Sequence, residues 1–219
     1  QNVKKKIRTK ALASAGLIHD YDIDSTLPTM ILYHNQQLGG ELYSTIKDLI
    51  ENKQSHREYL AQALEIDIKT AKQIFTAIFN GAKNLAPNSY SQIYQMLGGD
   101  DNIDAKAKLE CLKQDYLYIN LKNEIKQCWD YIKPNHKEYI RKTKNGKLRH
   151  QLYAKDKWNI YFNLERQCLD HIQTYLTEHE VKSFLIHDGW HTNKSINITD
   201  LENYVYNNTG YLVTIEGTN

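Results

Sequence analysis

Apolar residues recur at every third or fourth position over much of the chain, a spacing typical of amphipathic helices. The clearest stripe lies between Asp67 and Asn80, where Asp67 is a suitable N-cap residue. The same spacing, with start signals such as Pro28 and a capping box at Thr199, predicts further helices. These cover residues 25–40, 41–52, 56–64, 88–99, 104–131, 156–176 and a short segment from 199.

Short segments with alternating or continuous apolar character predict strands over residues 17–24, 181–191 and 211–215. The pair Asn145-Gly146 is a strong turn signal, and its flanking segments predict a β-hairpin near 139–153. A few strands among many helices indicate an α+β fold. We expect one small, largely antiparallel sheet and a mostly helical second part.

The composition is that of an ordinary globular protein. The chain has 219 residues, of which 41% are hydrophobic, and its mean hydropathy is -0.66. No apolar run is long enough to span a membrane, so no membrane contact is expected. The three cysteines form no Cys-x-x-Cys pair, which argues against a disulfide framework or a zinc site and predicts a reducing, cytoplasmic compartment.

The charge is unevenly distributed along the chain. The net charge is only +2, but the first ten residues carry +5 and residues 133–157 carry +7. Two basic tracts in an otherwise acidic chain indicate an anionic partner such as nucleic acid, although a solvated basic loop is the alternative. The candidate contacts are Lys4, Lys5, Lys6, Arg141, Lys142, Lys144, Lys147 and Arg149.

Three carboxylates alternate on the first predicted strand. Asp20, Asp22 and Asp24 should all point to one face of that strand, where like charges repel one another. Such crowding is tolerated on a solvated edge strand or around a divalent cation, which prefers oxygen ligands. Both interpretations remain open from these residues alone.

A further carboxylate follows the apolar run Phe184-Leu185-Ile186 as His187-Asp188-Gly189. If this run is a buried strand, the charge of Asp188 needs a compensating metal ion or cation. The alternative is a structural pairing of His187 with Asp188 at the edge of the sheet.

The helix that begins at Asp67 has a polar face containing Lys69, Lys72 and Asn80. Lysines on one face could bind a polyphosphate, although ordinary amphipathicity explains the same pattern. A third interpretation is a DNA-binding helix-turn-helix, with residues 59–64 and 70–74 as parts of its two helices.

The order of these features resembles that of family A DNA polymerases and phage-type single-subunit RNA polymerases. Residues 22–31, Asp-Ile-Asp-Ser-Thr-Leu-Pro-Thr-Met-Ile, resemble the polymerase A motif. Lys72, followed nine positions later by Gly81, is similar to the B motif, and Ile186-His187-Asp188 to the C motif. The separations of 50 residues between Asp22 and Lys72, and of 116 between Lys72 and Asp188, are in keeping with that family.

The resemblance implies a DNA-directed DNA polymerase of a divergent type found in phages and mobile elements, acting in the host cytoplasm if phage-encoded. It implies a palm-like subdomain at 1–40 and 150–219, a fingers-like subdomain at 41–149, and Mg²⁺ or Mn²⁺ as cofactor. The implied partners are a primer–template and nucleoside triphosphates. The implied residues are Asp22, Asp188 and Lys72 for catalysis; Asp22, Asp188 and Asp24 for metal; and Lys69, Lys72, Leu27, Asn80 and His187 for the nucleotide.

The chain also departs from the family pattern. Asn80 replaces the usual Tyr, Ile68 replaces an Arg, and Gly189 replaces a Glu or Ser. Exonuclease and thumb segments have no counterpart, so we expect a reduced enzyme, a piece of a larger one, or a chain completed by a partner. The alternatives are a single-subunit RNA polymerase or primase, a non-enzymatic helix-turn-helix module, and a palm-like scaffold without catalysis.

Overall fold

The structure, a computed structural model, describes residues 5–82, 84–149, 152–186 and 189–218, with only the backbone at positions 5, 6, 149 and 218. It is 63% helical and has a small four-stranded antiparallel sheet. The predicted α+β fold class is therefore confirmed.

The helices and strands follow one another over the whole described chain. The helices are α1 (Lys5–Ser14), α2 (Thr26–Gln37), α3 (Ser44–Glu51), α4 (Lys53–Leu64), α5 (Ile68–Phe79), α6 (Gln92–Met96), α7 (Ala105–Gln114), α8 (Tyr116–Ile132), α9 (Ala154–Glu178) and α10 (Ile198–Thr209). The strands are β1 (His19–Ile23), β2 (Arg141–Lys142), β3 (Leu148–Arg149), β4 (Ser183–Ile186), β5 (Gly189–Thr192) and β6 (Ile215–Thr218).

The chain divides into two compact units. The first comprises Gln1–Tyr33 and Trp158–Asn219 and contains the four-stranded sheet, and the second comprises His34–Lys157. The second unit is helical apart from the short hairpin of β2 and β3. The naming of residues 1–40 and 150–219 as palm and of 41–149 as fingers stays a prediction.

The sheet of the first unit has the order β4-β5-β1-β6, with β1 in the centre. Alternation along the strands buries one face: Tyr21, Ile23, Trp190 and Ile215 are all nearly inaccessible to solvent. The rings of Tyr21 and Trp190, which are paired across β1 and β5, stack with centroids 5.9 Å apart. Residues that alternate with these on β1, including Asp22, therefore belong to the opposite face.

The prediction of one buried strand over residues 181–191 is wrong. The segment forms a hairpin in which β4 and β5 pair antiparallel and β4 is an edge strand. Phe184 and Leu185 are 53% and 37% exposed, so β4 is not a buried strand, and the inference that burial forces a compensating cation on Asp188 fails. A continuous apolar run does not reveal whether a strand is central or at an edge. His187 and Asp188 themselves lie outside the described residues.

The helical unit confirms the most strongly periodic prediction. Asp67 caps α5 by accepting a hydrogen bond from the backbone N–H of Thr70 at 2.8 Å. The apolar stripe of α5, with Ala71, Ile74 and Ile78, is buried, while Lys72 on the other face is exposed.

Three predicted boundaries are corrected. The helix predicted over 104–131 is two helices, because Asp115 adopts an extended conformation and caps α8 through the N–H of Tyr118. The cap of α10 is Asn197 and not Thr199, and Glu202 instead accepts a hydrogen bond from the N–H of Ile215. The last strand begins at Ile215, where the prediction for it ended.

No helix in the described ranges combines the length and the apolar character needed to cross a membrane.

Candidate functional site

A strand–turn–helix unit positions Asp22 and Asp24. β1 ends at Ile23, and the Asp24 N–H then donates to the Thr214 carbonyl at 2.8 Å. Ser25 adopts a left-handed conformation with φ of 47°, which is unusual for a residue other than glycine. The Thr26 hydroxyl donates to the Ile23 carbonyl at 2.8 Å, and α2 starts there. The sharp turn fixes both carboxylates at the end of the central strand.

Asp22 has a different neighbour on each side of β1. It is paired with Gly189 of β5 and with Glu216 of β6. Paired residues point to the same face of a sheet, so Asp22 and Glu216 present two exposed carboxylates side by side. Like charges in this position are unfavourable unless a cation lies near them. The sequence did not identify Glu216, because its role depends on strand pairing and it lies just beyond the predicted strand.

Gly189 allows an unusually close approach of β5 to β1. A Cβ at this position would lie 2.7 Å from the carbonyl oxygen of Tyr21, a backbone atom that cannot move aside without disturbing β1. Any side chain at position 189 would therefore have to displace the backbone of β1. The close pairing brings the backbone that directly follows Asp188 in the chain against Asp22.

The three aspartates of the first strand are not equivalent. Asp20 Oδ1 lies 3.2 Å from Nε2 of His191, whose side chain is only 8% exposed. Asp22 is exposed, whereas Asp20 and Asp24 are partly buried, and Asp24 accepts a hydrogen bond from the Ser25 hydroxyl at 3.2 Å. Asp22 is therefore the carboxylate of this strand that is most open to a ligand from solvent.

The donor chemistry of this face suits a divalent cation, but the described residues do not form a complete site. Asp22, Asp24 and Glu216 offer carboxylate oxygens, which Mg²⁺ and Mn²⁺ prefer. Within the part of the chain that the structure describes, no group of three or more His, Cys, Asp or Glu side chains is arranged to hold a metal ion. The other predicted metal ligand, Asp188, immediately precedes Gly189 and lies outside those residues.

The predicted nucleotide-binding residues of α5 share one groove. Lys69, Lys72 and Asn80 line it together with Gln92 and Gln95 of α6, and its volume is about 670 Å³. All of these belong to the helical unit. The groove combines two lysines with several amide side chains, which is suitable chemistry for an anionic, hydrogen-bonding ligand. Leu27, the other described residue of this set, is half-buried in the first turn of α2.

The basic hairpin contains two kinds of charged residue. Lys142, Lys144 and Lys147 are exposed around the turn. Arg141 instead donates a hydrogen bond of 2.6 Å to Asp156, a carboxylate that is 2% exposed, and its guanidinium lies 4.6 Å from the centroid of the Tyr153 ring. Asp156 also accepts a hydrogen bond from the Tyr153 N–H. Arg141 therefore ties the hairpin to the start of α9, a role that the sequence did not reveal.

The remaining predicted contacts of the basic tracts lie outside what the structure describes. Lys4 is one of them, as are the side chains of Lys5, Lys6 and Arg149. Their assignment to nucleic-acid binding stays a prediction.

The structure also brings together two histidines of the helical unit that no sequence pattern indicated. Nε2 of His34 lies 3.2 Å from Nε2 of His136, whose Nδ1 lies 2.9 Å from Glu138. Burial, with a smaller contribution from His136, lowers the pKa of His34 to about 4, so this ring is neutral at pH 7. The hydrogen bond with His136 lowers the pKa of Glu138. Residues 34 and 136 are far apart in sequence, and no local pattern indicates their contact.

Comparison with known proteins finds similarity among solved structures only. No protein-family model matches the chain, and no curated protein matches it. Among solved structures, the chain is similar to the POL domain of Pol1 from M. smegmatis, in complex with DNA primer-template and dNTP. The TM-score is 0.43 and the sequence identity 13%, over 91% of this chain and 39% of that chain. This chain thus spans about two fifths of the length of its neighbour.

Proposed function

We propose that the chain is a template-directed nucleotidyltransferase, namely a DNA polymerase that uses Mg²⁺ or Mn²⁺. The observation that carries the proposal is the pairing of Asp22 with Gly189 in the centre of the sheet. This register puts the exposed carboxylate of β1 beside the backbone that follows Asp188. The proposal adds Asp188, which directly precedes Gly189 in the chain, as the second carboxylate of a two-ion nucleotidyl transfer site.

The proposal gives each residue a separate task. Asp22 and Asp188 hold the cations, with Asp24 as the alternative to Asp22. Mg²⁺ or Mn²⁺ held by these residues would supply the Lewis-acid chemistry that a primer 3′ hydroxyl and a departing pyrophosphate require. The helical unit contributes Lys69, Lys72 and Asn80, whose groove suits the triphosphate of a nucleotide. Leu27 and His187 complete the nucleotide-binding set.

The test is primer extension by the chain in Mg²⁺. Template-dependent incorporation that stops when the cation is chelated supports the proposal, and its absence in both Mg²⁺ and Mn²⁺ refutes it.

Lys72 and the basic hairpin are expected to affect different kinetic parameters. Lys72→Ala should raise KM for the nucleotide by about tenfold or more with little change in primer–template affinity, because it removes a charge from the triphosphate. Replacing Lys142, Lys144 and Lys147 by Ala should weaken primer–template binding and reduce the slope of log K against log salt by about 2–3. Steady-state kinetics and binding at several salt concentrations measure both effects.

Arg141 is left unchanged in this experiment because its loss would leave the buried Asp156 unpaired. Lys106→Ala on α7 is the matched control, since this exposed lysine lines neither region. If Lys72→Ala and the triple hairpin variant lose nucleotide affinity and primer–template affinity equally, the groove of Lys72 and the basic hairpin are not separate sites.

Leu27 is expected to act as a weak steric gate, that is, to discriminate only modestly against the 2′ hydroxyl of ribonucleotides. An apolar contact rejects an added hydroxyl only modestly, by roughly a hundredfold at best. We therefore expect measurable ribonucleotide incorporation by the natural sequence, and a further increase in Leu27→Ala. Single-nucleotide kinetics with both sugars measures the ratio. Strict rejection by the natural sequence, or an unchanged ratio in Leu27→Ala, would show that Leu27 is not the gate.

A helix-turn-helix module is the second candidate function. α4 and α5 are joined by residues 65–67, and Glu65 adopts a left-handed conformation with φ of 49°. Lys72 and Gln73 are exposed on the second helix, as base or phosphate contacts would require. High-affinity, sequence-specific binding to duplex DNA that is lost in Gln73→Ala, without any nucleotide incorporation, would favour this candidate over the polymerase.

A further inference from the structure

A second concave site lies in the helical unit, separate from the groove of Lys72. Its walls are the C-terminal end of α5 with Gly81 and Ala82, one face of α8, and the segment that contains Leu152 and Lys157. The cavity has a volume of about 390 Å³. Small-molecule sites in proteins occupy roughly 300–1,000 Å³, so this cavity is large enough for a ligand of mononucleotide size.

The inner wall of the cavity is aromatic and aliphatic. Phe79 and Trp129 both line it, although they are only 6% and 5% exposed, and Ile78 and Ile125 lie beside them. α5 contributes one aromatic ring and α8 the other. Flat, apolar ring systems are favoured against such a wall.

The rim of the cavity is positively charged. Four lysines line it, namely Lys122, Lys126, Lys133 and Lys157. Asp130 is the one acidic residue of its described lining. Spacings of four and three residues put Lys122, Lys126 and Trp129 on the same face of α8, and Lys133 directly follows that helix.

The positions of the individual lysines show where an anion would bind. Lys126 lies 3.1 Å from Asp130, so this pair is neutral overall. Lys133 and Lys157 are half-buried, and Nζ of Lys157 lies 4.8 Å from the centroid of the Trp129 ring. A cationic nitrogen and an aromatic ring thus adjoin each other in the cavity lining, and a ligand that carries both a flat ring and a phosphate can contact both kinds of group.

We propose that this cavity binds a nucleoside phosphate, with the base against Phe79 and Trp129 and the phosphate between Lys133 and Lys157. A positive excess of three charges around the cavity favours a phosphate over a singly charged carboxylate. The ligand is either a free mononucleotide or one unpaired nucleotide of a single strand, since both present the same chemistry. The inference rests on the cavity alone and does not depend on Asp22, Asp188 or a bound cation.

The first experiment compares four ligands on the full chain. Adenosine monophosphate, adenosine, inorganic phosphate and a single-stranded hexadeoxyadenylate are titrated by calorimetry, with tryptophan fluorescence as a second readout. Adenosine monophosphate should bind at least about tenfold more tightly than adenosine or phosphate, because only it contacts both parts of the cavity. Hexadeoxyadenylate more than tenfold tighter than the monophosphate would identify the nucleotide as part of a strand, and similar affinities would identify a free nucleotide.

Variants connect the binding to this cavity. Lys133→Ala and Lys157→Gln should each weaken adenosine monophosphate binding by about tenfold, because each removes one charge-assisted contact. Lys106→Ala on α7, outside the cavity, should leave it unchanged. No binding of either nucleotide probe at millimolar concentration, or equal losses in Lys106→Ala and the cavity variants, would overturn the proposal.

Discussion

Asp22→Asn is expected to lower primer extension by at least about a hundredfold in Mg²⁺ while leaving the fold and primer–template affinity unchanged. The substitution keeps the shape of the side chain and removes its negative charge, so the loss acts on cation binding. Because Asp22 is exposed, neutralising it should not destabilise the protein. Asp188→Asn is expected to have the same effect. Extension kinetics, circular dichroism and a binding assay measure the three properties separately.

Asp20→Asn is the matched control for this experiment. Asp20 is on the same strand and the same face as Asp22, but its carboxylate lies against His191. We expect its replacement to change extension by less than about fivefold, as for a residue outside the reacting centre. Near-normal extension by Asp22→Asn or by Asp188→Asn would contradict the proposed metal site.

Gly189→Ala should destabilise the first unit by about 1–3 kcal/mol, the usual cost of forcing an extra carbon into a packed position. The added Cβ would meet the Tyr21 carbonyl oxygen at 2.7 Å and push β5 away from β1. The free energy of unfolding in urea measures the effect. The variant should also lose extension, because it disturbs the strand pairing beside Asp22.

Gly217→Ala is a comparison variant on the other side of β1. A Cβ at position 217 would approach the ring of Tyr21 at 2.9 Å, and this ring is buried and stacked on Trp190. We therefore expect Gly217→Ala to destabilise the same unit as well, by crowding a side chain and not the backbone that joins β1 to β5. Equal stability of the natural sequence and Gly189→Ala would contradict the close pairing of β1 with β5.

The parts of the fold that depend on local signals could be predicted from the sequence. α5 is such an element, because its apolar stripe and the Asp67 cap lie within one short segment. The groove shared by Lys69, Lys72 and Asn80 follows from the same periodicity, which puts these residues on one face. The α+β class could be predicted from the number and order of the helices and strands alone.

Features that depend on tertiary pairing could not be predicted. The segment 181–191 has an apolar run that fits one strand, and only its antiparallel pairing shows that it is a hairpin with β4 at the edge. Glu216 reaches Asp22 through the register of β1 with β6, and Arg141 reaches Asp156 across 15 residues. The end of α7 and the start of α8 at Asp115 could not be predicted, because the apolar periodicity continues across this residue. Asp115 itself serves as the N-cap of α8.

The central claim is tested most directly by one primer-extension assay with labelled deoxynucleotides and ribonucleotides on the natural sequence. The account predicts template-dependent incorporation in Mg²⁺, with deoxynucleotides preferred, and its loss on chelation and in Asp22→Asn but not in Asp20→Asn. Absence of incorporation in Mg²⁺ and Mn²⁺, or incorporation that persists in Asp22→Asn, would contradict it.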